Sequence, residues 1–321
     1  MITRRRLVIS LSAVGLTSPF DALAQRPRVY RLGLLHTGND LLLGAFRDAM
    51  RELGYVEGKT LALEVRNTRG KAELLPRMAA ELVERNVDVI MAPTTLPAQA
   101  AMRATGSTPI VFAVAGDPVA SGLVDTLAKP GRNVTGVTIL SPQLASKRLQ
   151  IFKEAFPSTA RMGALSASDT TPAQVKAVER AAKALGITLV SESFERAEQL
   201  PEVENRLKRS RLDALYILES SIPFFNRALI ADLALRAKLP TLAPTREYAE
   251  AGALMSYGVD YAANYRRAAV YVDKILKGAK PADLPVEQPV RYDLFVNART
   301  AKALGTTIPR ELLLRADKII E

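Results

Sequence analysis

The chain has 321 residues, 48% of them hydrophobic and 24% charged, with a formal net charge of +11. That is globular composition, and at about 150 residues per domain the length predicts two domains. With no cysteine and a single histidine, His36, disulfides, thiolate zinc sites, cysteine nucleophiles and multi-histidine metal sites are excluded, and a Ser-His-Asp triad is disfavoured.

Residues 1–24 read as a secretory signal. Arg4, Arg5 and Arg6 form the basic region, Leu7 to Leu16 the apolar stretch, and Ala22-Leu23-Ala24 the small-residue cleavage pattern. The stretch is too short to span a bilayer. Thr3 to Val8 also resembles a twin-arginine signal. The expected location is therefore the periplasm. Removing this segment takes away three arginines and Asp21 and lowers the net charge to +9. The remaining excess is dispersed and lacks aromatic interleaving, so no nucleic acid partner is expected.

After the leader, strands alternate with helices. The first half reads as strand Val29–Leu35, helix 41–53, strand Thr60–Arg66, helix 71–85, strand Val87–Met91, helix 96–104, strand Pro109–Val114, helix 119–128 and strand Val134–Ile139. The pattern then restarts with helix 143–155, strand Arg161–Ser166, helix 172–185, strand Thr188–Ser193 and helix 198–209. Strand Ala214–Leu218, helix 223–237, strand Thr241–Ala243 and strand Leu254–Tyr257 follow. A long helix at 262–277, strand Val290–Val296, helix 300–304 and the segment Pro309–Ala316 close the chain. Such alternation predicts α/β architecture, with two doubly wound, Rossmann-like lobes built on parallel sheets.

In these folds ligands bind beyond the carboxyl ends of the strands, and with two lobes the natural site is the cleft between them. The loops that reach it are His36–Asp40, Pro93–Thr95, Ala115–Asp117, Ser166–Thr171, Glu219–Ser221, Pro244–Tyr248 and Ser256–Asp260. From them the candidate ligand contacts are His36, Thr37, Thr94, Thr95, Gly116, Asp117, Ser166, Asp169, Glu219, Ser220, Thr245, Tyr248, Tyr257 and Asp260. Threonines and backbone N–H groups at a helix start suit a carboxylate. Acidic side chains suit an ammonium or hydroxyl, and Tyr248, Tyr257 and Phe224 can pack on an apolar body. Asp117 before Pro118, and Asp260 before the long helix, also fit plain helix caps. No phosphate loop, H-E-x-x-H or G-x-S-x-G motif occurs. No catalytic residue, metal or cofactor is assigned.

Several segments carry a resemblance. Arg51-Glu52-Leu53-Gly54-Tyr55-Val56-Glu57-Gly58-Lys59 is one, and Pro109 to Val119, with its Gly116-Asp117-Pro118 turn, is another. Lys129-Pro130-Gly131-Arg132-Asn133-Val134-Thr135-Gly136, Tyr248 to Gly258, and Tyr271 to Pro289 complete the set. Together they resemble the ABC transporter substrate-binding protein family, whose type I periplasmic-binding fold includes members that bind aromatic amino acids. Arg132 stands where the family pattern has a second glycine.

The resemblance implies lobes of 25–140 plus about 262–285, and of 141–261 plus about 286–321, joined by three crossings. It implies a non-enzymatic, monomeric receptor that closes by a hinge around a small amino acid or organic carboxylate, and delivers it to an inner-membrane ABC permease. A secreted α/β enzyme acting on a small carboxylate, and a ligand-sensing partner of a sensor kinase, are the alternative expectations.

Overall fold

The computed structural model describes residues 28–38 and 42–321. The proposed signal at 1–24 and the loop residues Asn39 and Asp40 lie outside the described residues. Two sheets organise the chain. The first has the order β2-β1-β3-β4-β5, from β1 (Tyr30–His36), β2 (Leu61–Asn67), β3 (Val89–Met91), β4 (Ile110–Ala115) and β5 (Val134–Thr138). All four pairings are parallel.

Strands buried on both faces read as continuous apolar runs, and successive side chains go to opposite sides. Leu32, Leu34, Val89, Met91 and Val111 pack with α1 (Leu43–Glu52) and α10 (Tyr261–Leu276). Leu35, Ile90 and Phe112 pack with α2 (Leu75–Glu84) and α3 (Thr95–Ala104) on the other face. The approach of β5 to β4 needs Gly136, whose φ is +150° and where a Cβ would overlap the Phe112 carbonyl oxygen.

The second sheet has the order β12-β11-β10-β9-β8-β6-β7. Its strands are β6 (Arg161–Ala167), β7 (Thr188–Phe194), β8 (Ala214–Ile217), β9 (Thr241–Ala243), β10 (Met255–Gly258), β11 (Asp293–Asn297) and β12 (Lys318–Ile320). Met162, Ala164, Tyr216 and Leu242 face α4 (Ser141–Ala155) and α5 (Pro172–Ala184). Leu165, Leu215 and Ile217 face α6 (Leu200–Arg209) and α8 (Arg227–Arg236).

The chain passes between the sheets at 139–140, 259–260 and 288–292. At the second crossing Asp260 caps α10, its Oδ1 accepting from Ala263 N at 3.1 Å. The helix then returns to the first sheet, where Tyr55 donates to Asp273 Oδ1 at 2.9 Å. Beside the third crossing, Thr135 Oγ1 donates to Leu284 O at 2.7 Å and Thr138 N to Glu287 O at 2.9 Å.

Several expectations need correction. No helix forms at 119–128; the segment is a series of turns, with Asp117 Oδ1 accepting from Ala120 N and Gly122 at φ +71°. Leu123 and Val124 are both buried, an adjacent pair with no helical period. The segment 223–237 is not one helix but α7 (Ser221–Phe225) and α8, broken at Asn226. β11 runs antiparallel to β10, pairing Met255 with Val296, so the second sheet is mixed. It starts at Asp293, and Val290, expected within it, is fully exposed. The short helix α9 (Arg246–Glu250) and strand β12 were not foreseen. The chain ends in α11 (Ala298–Leu304), α12 (Arg310–Arg315) and β12.

Candidate ligand-binding cleft

The carboxyl ends of β1, β3, β4 and β5 face those of β6 and β8 across a cleft with about 670 Å³ of space between atoms, open solvent included. Thr37, Leu42, Thr94, Thr95, Leu96, Val114, Gly116 and Ile139 line one side. Asp169, Thr171, Gln174, Glu219, Ser220, Ser221, Phe224 and Phe225 line the other, and Tyr261 and Tyr265 of α10 form the floor between them.

On the first side the decisive feature is the start of α3. Thr94 has extended backbone and no side chain caps the helix. Thr95 Oγ1 instead accepts from Gly116 N at 3.4 Å, fixing the two loops against each other. The first N–H groups of α3 are therefore left uncapped by side chains at the cleft wall, where an anion is favoured.

On the second side Asp169 presents one oxygen. Its Oδ2 accepts from Ser221 N at 2.7 Å and Ile222 N at 3.1 Å, which orients the carboxyl. Its Oδ1 is buried and has no hydrogen-bond partner. Burial pushes the Asp169 pKa above the ordinary carboxylate value, against the opposing pull of the Ile222 and Ser221 N–H groups and the Ser220 hydroxyl.

Glu219 is held differently. The Tyr261 hydroxyl donates to its Oε1, and Arg148 Nη1 lies 3.4 Å from its Oε2. Arg148 is buried, with its Nε donating to Tyr257 O at 2.7 Å and its Nη2 to Pro244 O at 3.3 Å. Burial disfavours the guanidinium charge, but the adjacent Glu219 leaves its pKa above the ordinary value. Gly258 permits this packing, since a Cβ there would overlap the Pro244 carbonyl oxygen. The remaining wall is apolar: Phe224 packs edge-on against Phe225 at 5.4 Å and tilted against Tyr261 at 5.7 Å.

The structure brings Thr37, Thr94, Thr95, Gly116, Asp169, Glu219 and Ser220 together at the cleft. His36 is buried in a small adjoining recess with Pro93 and Phe225. Six expected contacts lie elsewhere. Asp117 caps the turn at Ala120, and Ser166 donates its hydroxyl to Glu192 O. Thr245 is fully buried behind the wall, as is Tyr248, whose ring backs Phe224 at 6.2 Å. Along β10 it is Ser256 that is fully buried, whereas the Tyr257 ring stacks on Tyr292 at 6.0 Å. Asp260 caps α10 and pairs with Arg246 at 3.0 Å.

Tyr261 and Tyr265 were missed, although their i,i+4 spacing just after a cap puts both on one helix face. Thr171 lay in a loop already expected to reach the cleft, whereas Leu42, Val114, Ile139, Gln174 and Phe225 carried no comparable signal. Among the described residues no group of three or more His, Asp or Glu side chains could hold a metal ion.

An uncapped helix start opposite a free carboxylate oxygen, with aromatic walls between, suits a zwitterion with an apolar body. The family model for ABC transporter substrate binding proteins matches residues 33–320. The chain belongs to this family. A tyrosine-binding protein of Clostridioides difficile (strain R20291) is 26% identical over 272 residues, 84% of this chain and 78% of that protein. An ABC domain from Streptococcus pneumonia solved in complex with L-Trp is 26% identical, covers 91% of this chain and 100% of its own, and superposes with a TM-score of 0.84. A ligand-free, open structure of a substrate-binding protein with adhesive properties from Clostridium difficile, also 26% identical, covers 91% of this chain and 99% of its own with a TM-score of 0.64. Among the described residues of this substrate-binding protein, no helix is long and apolar enough to cross a membrane.

Proposed function

We propose that this substrate-binding protein is the periplasmic receptor of an ABC importer for an aromatic α-amino acid, exported by a cleaved signal at 1–24. The observation that carries the reading is the buried, unpartnered Oδ1 of Asp169 facing across the cleft from the uncapped start of α3. The ligand ammonium pairs with Asp169, its carboxylate takes the N–H groups of Thr95 and Leu96, and Phe224, Phe225, Tyr261 and Tyr265 surround its ring. The related proteins named for tyrosine and solved with tryptophan support this chemistry.

The two lobes, 25–140 with about 262–285 and 141–261 with about 286–321, close on the ligand by bending at the three crossings. The higher TM-score to the L-Trp complex than to the open, ligand-free structure, at equal identity, supports a closed arrangement here. The closed receptor docks on its permease and releases the ligand chemically unchanged.

The test is isothermal titration of the purified protein with the twenty common amino acids. Tryptophan, tyrosine or phenylalanine binds, and Asp169→Asn weakens that binding by about 30-fold, or about 2 kcal/mol. Mass spectrometry of the incubated ligand shows no product. Binding confined to sugars or nucleosides, or turnover of the amino acid, sinks the proposal.

A further inference from the structure

The interlobe space does not end at the cleft just described. Beyond it lies an outer vestibule of about 1150 Å³ open to solvent, flanked by Arg69 and Lys71 from the first lobe and Glu195, Arg196 and Glu198 from the second. Phe225 borders the inner cleft, the vestibule and the His36 recess alike. Its ring, braced edge-on by Phe224, lies directly on Gly38 of the opposite lobe: a Cβ at Gly38 would overlap Cε2, Cζ and Cδ2 of the ring. The backbone around Gly38 is held as well, since Asn67 Nδ2 donates to Gly38 O at 2.7 Å and Gly70 N donates to Thr37 O.

We infer that Phe225, seated on Gly38, is the partition that seals the inner cleft when the lobes meet, and so limits the ligand to a single free amino acid. This rests on the amino-acid reading above for the ligand class, but not for the contact itself. The physical argument is steric. Among the described residues Thr37, Ser221 and Phe225 border both cleft and vestibule, and Phe225 supplies the one aromatic ring there, which can lie on the facing backbone because residue 38 has no side chain. A ligand extended by one residue toward the vestibule would have to displace that ring. Removing the ring would join the two spaces.

Two experiments separate the contact from the ligand class. The chain has no cysteine, so a Gly38→Cys/Phe225→Cys variant forms a crosslink without background. The overlap reaches Cδ2, two bonds from the Phe225 Cβ, which brings the two Cβ positions near the 3.5–4.5 Å that a disulfide spans. The crosslink is expected to form, and L-tryptophan or L-tyrosine to increase its rate severalfold by populating the closed form.

The second experiment titrates glycyl-L-tryptophan and L-tryptophylglycine. Wild type prefers tryptophan by about 100-fold or more, and Phe225→Ala binds at least one dipeptide more tightly than wild type does, so that the preference narrows to about tenfold or less; a narrowing that comes only from weaker tryptophan binding counts against the partition. Its melting temperature without ligand, matched to wild type, shows that the fold is intact. If amino acids bind but no crosslink forms, the partition is wrong. If the crosslink forms but no amino acid changes its rate, the partition stands and the amino-acid reading fails. If Phe225→Ala still rejects both dipeptides, the contact does not set ligand length and the inference is overturned.

Discussion

Glu219→Ala is expected to be among the most destabilising single substitutions in the second lobe. Arg148 is only 2% exposed and Glu219 7%, so both charges are largely withdrawn from solvent. With Glu219 gone, Arg148 keeps neutral partners, the carbonyls of Tyr257 and Pro244 at 2.7 and 3.3 Å and the Tyr216 hydroxyl, but no counter-charge. The Tyr261 hydroxyl loses its acceptor too. Breaking a buried pair on one side costs about 3–5 kcal/mol, because an uncompensated charge remains in a low dielectric. Removing both partners is far milder: Arg148→Met with Glu219→Leu restores most of the loss, since the desolvation cost of both charges disappears with them. The exposed pair Arg51–Asp48, with side chains 68% and 44% exposed, is the internal control, and Asp48→Ala costs under about 1 kcal/mol. Urea unfolding of ligand-free protein with an unchanged slope reads all three variants against wild type. A Glu219→Ala cost no larger than the Asp48→Ala cost, or a double variant no more stable than Glu219→Ala, would refute the reasoning.

Two other expectations follow from single features. Ligand affinity should fall as pH is lowered through the raised pKa of Asp169, because only the carboxylate pairs with an ammonium; the fall approaches tenfold per pH unit. The ligand-free protein behaves in the opposite sense. The folded state holds this proton more tightly than the unfolded chain, so Asp169 favours stability below its folded pKa and costs stability as pH rises through it. Titration calorimetry between pH 7 and pH 4 checks the first point, and a flat affinity profile for wild type, or the same slope in Asp169→Asn, contradicts it. Gly136→Ala should destabilise the first sheet by about 2 kcal/mol or more, since φ +150° and the Phe112 carbonyl oxygen leave no room for a Cβ. Thermal unfolding reads this directly, and a wild-type melting temperature would mean that β4 and β5 separate at little cost.

What was legible in the sequence follows from how locally each element is encoded. β1 and β4 are dominated by buried apolar residues on both faces, and α2 and α6 carry buried residues on one face, so the pattern alone places them. The turns at 118–128 misled because Leu123 and Val124 are apolar without being helical; they are buried by tertiary packing against α2 and α3. β11 and β12 carry the same apolar signature as parallel strands, and direction is decided by where the chain re-enters the second sheet. That is set by the anchoring of Leu284 and Glu287 on β5, about 150 residues earlier in sequence.

The site divides along the same line. Thr94, Thr95, Gly116, Asp169, Glu219 and Ser220 follow directly from strand ends, and a topological rule finds them. Tyr248, Tyr257 and Asp260 also follow helix or strand boundaries, but which way each side chain turns depends on partners remote in sequence. Tyr257 turns to Tyr292, and Tyr248 is held behind Phe224. Asp260 is the instructive case, because one carboxylate can cap a helix or meet a ligand but has few lone pairs to do both. Its Oδ1 takes Ala263 N and its Oδ2 takes Arg246. Asp169 resolves the same competition the other way: the start of α7 takes one oxygen and the other is left without a partner. A residue type at a loop thus marks where a binding group can be, and the count of its satisfied oxygens decides whether it is one.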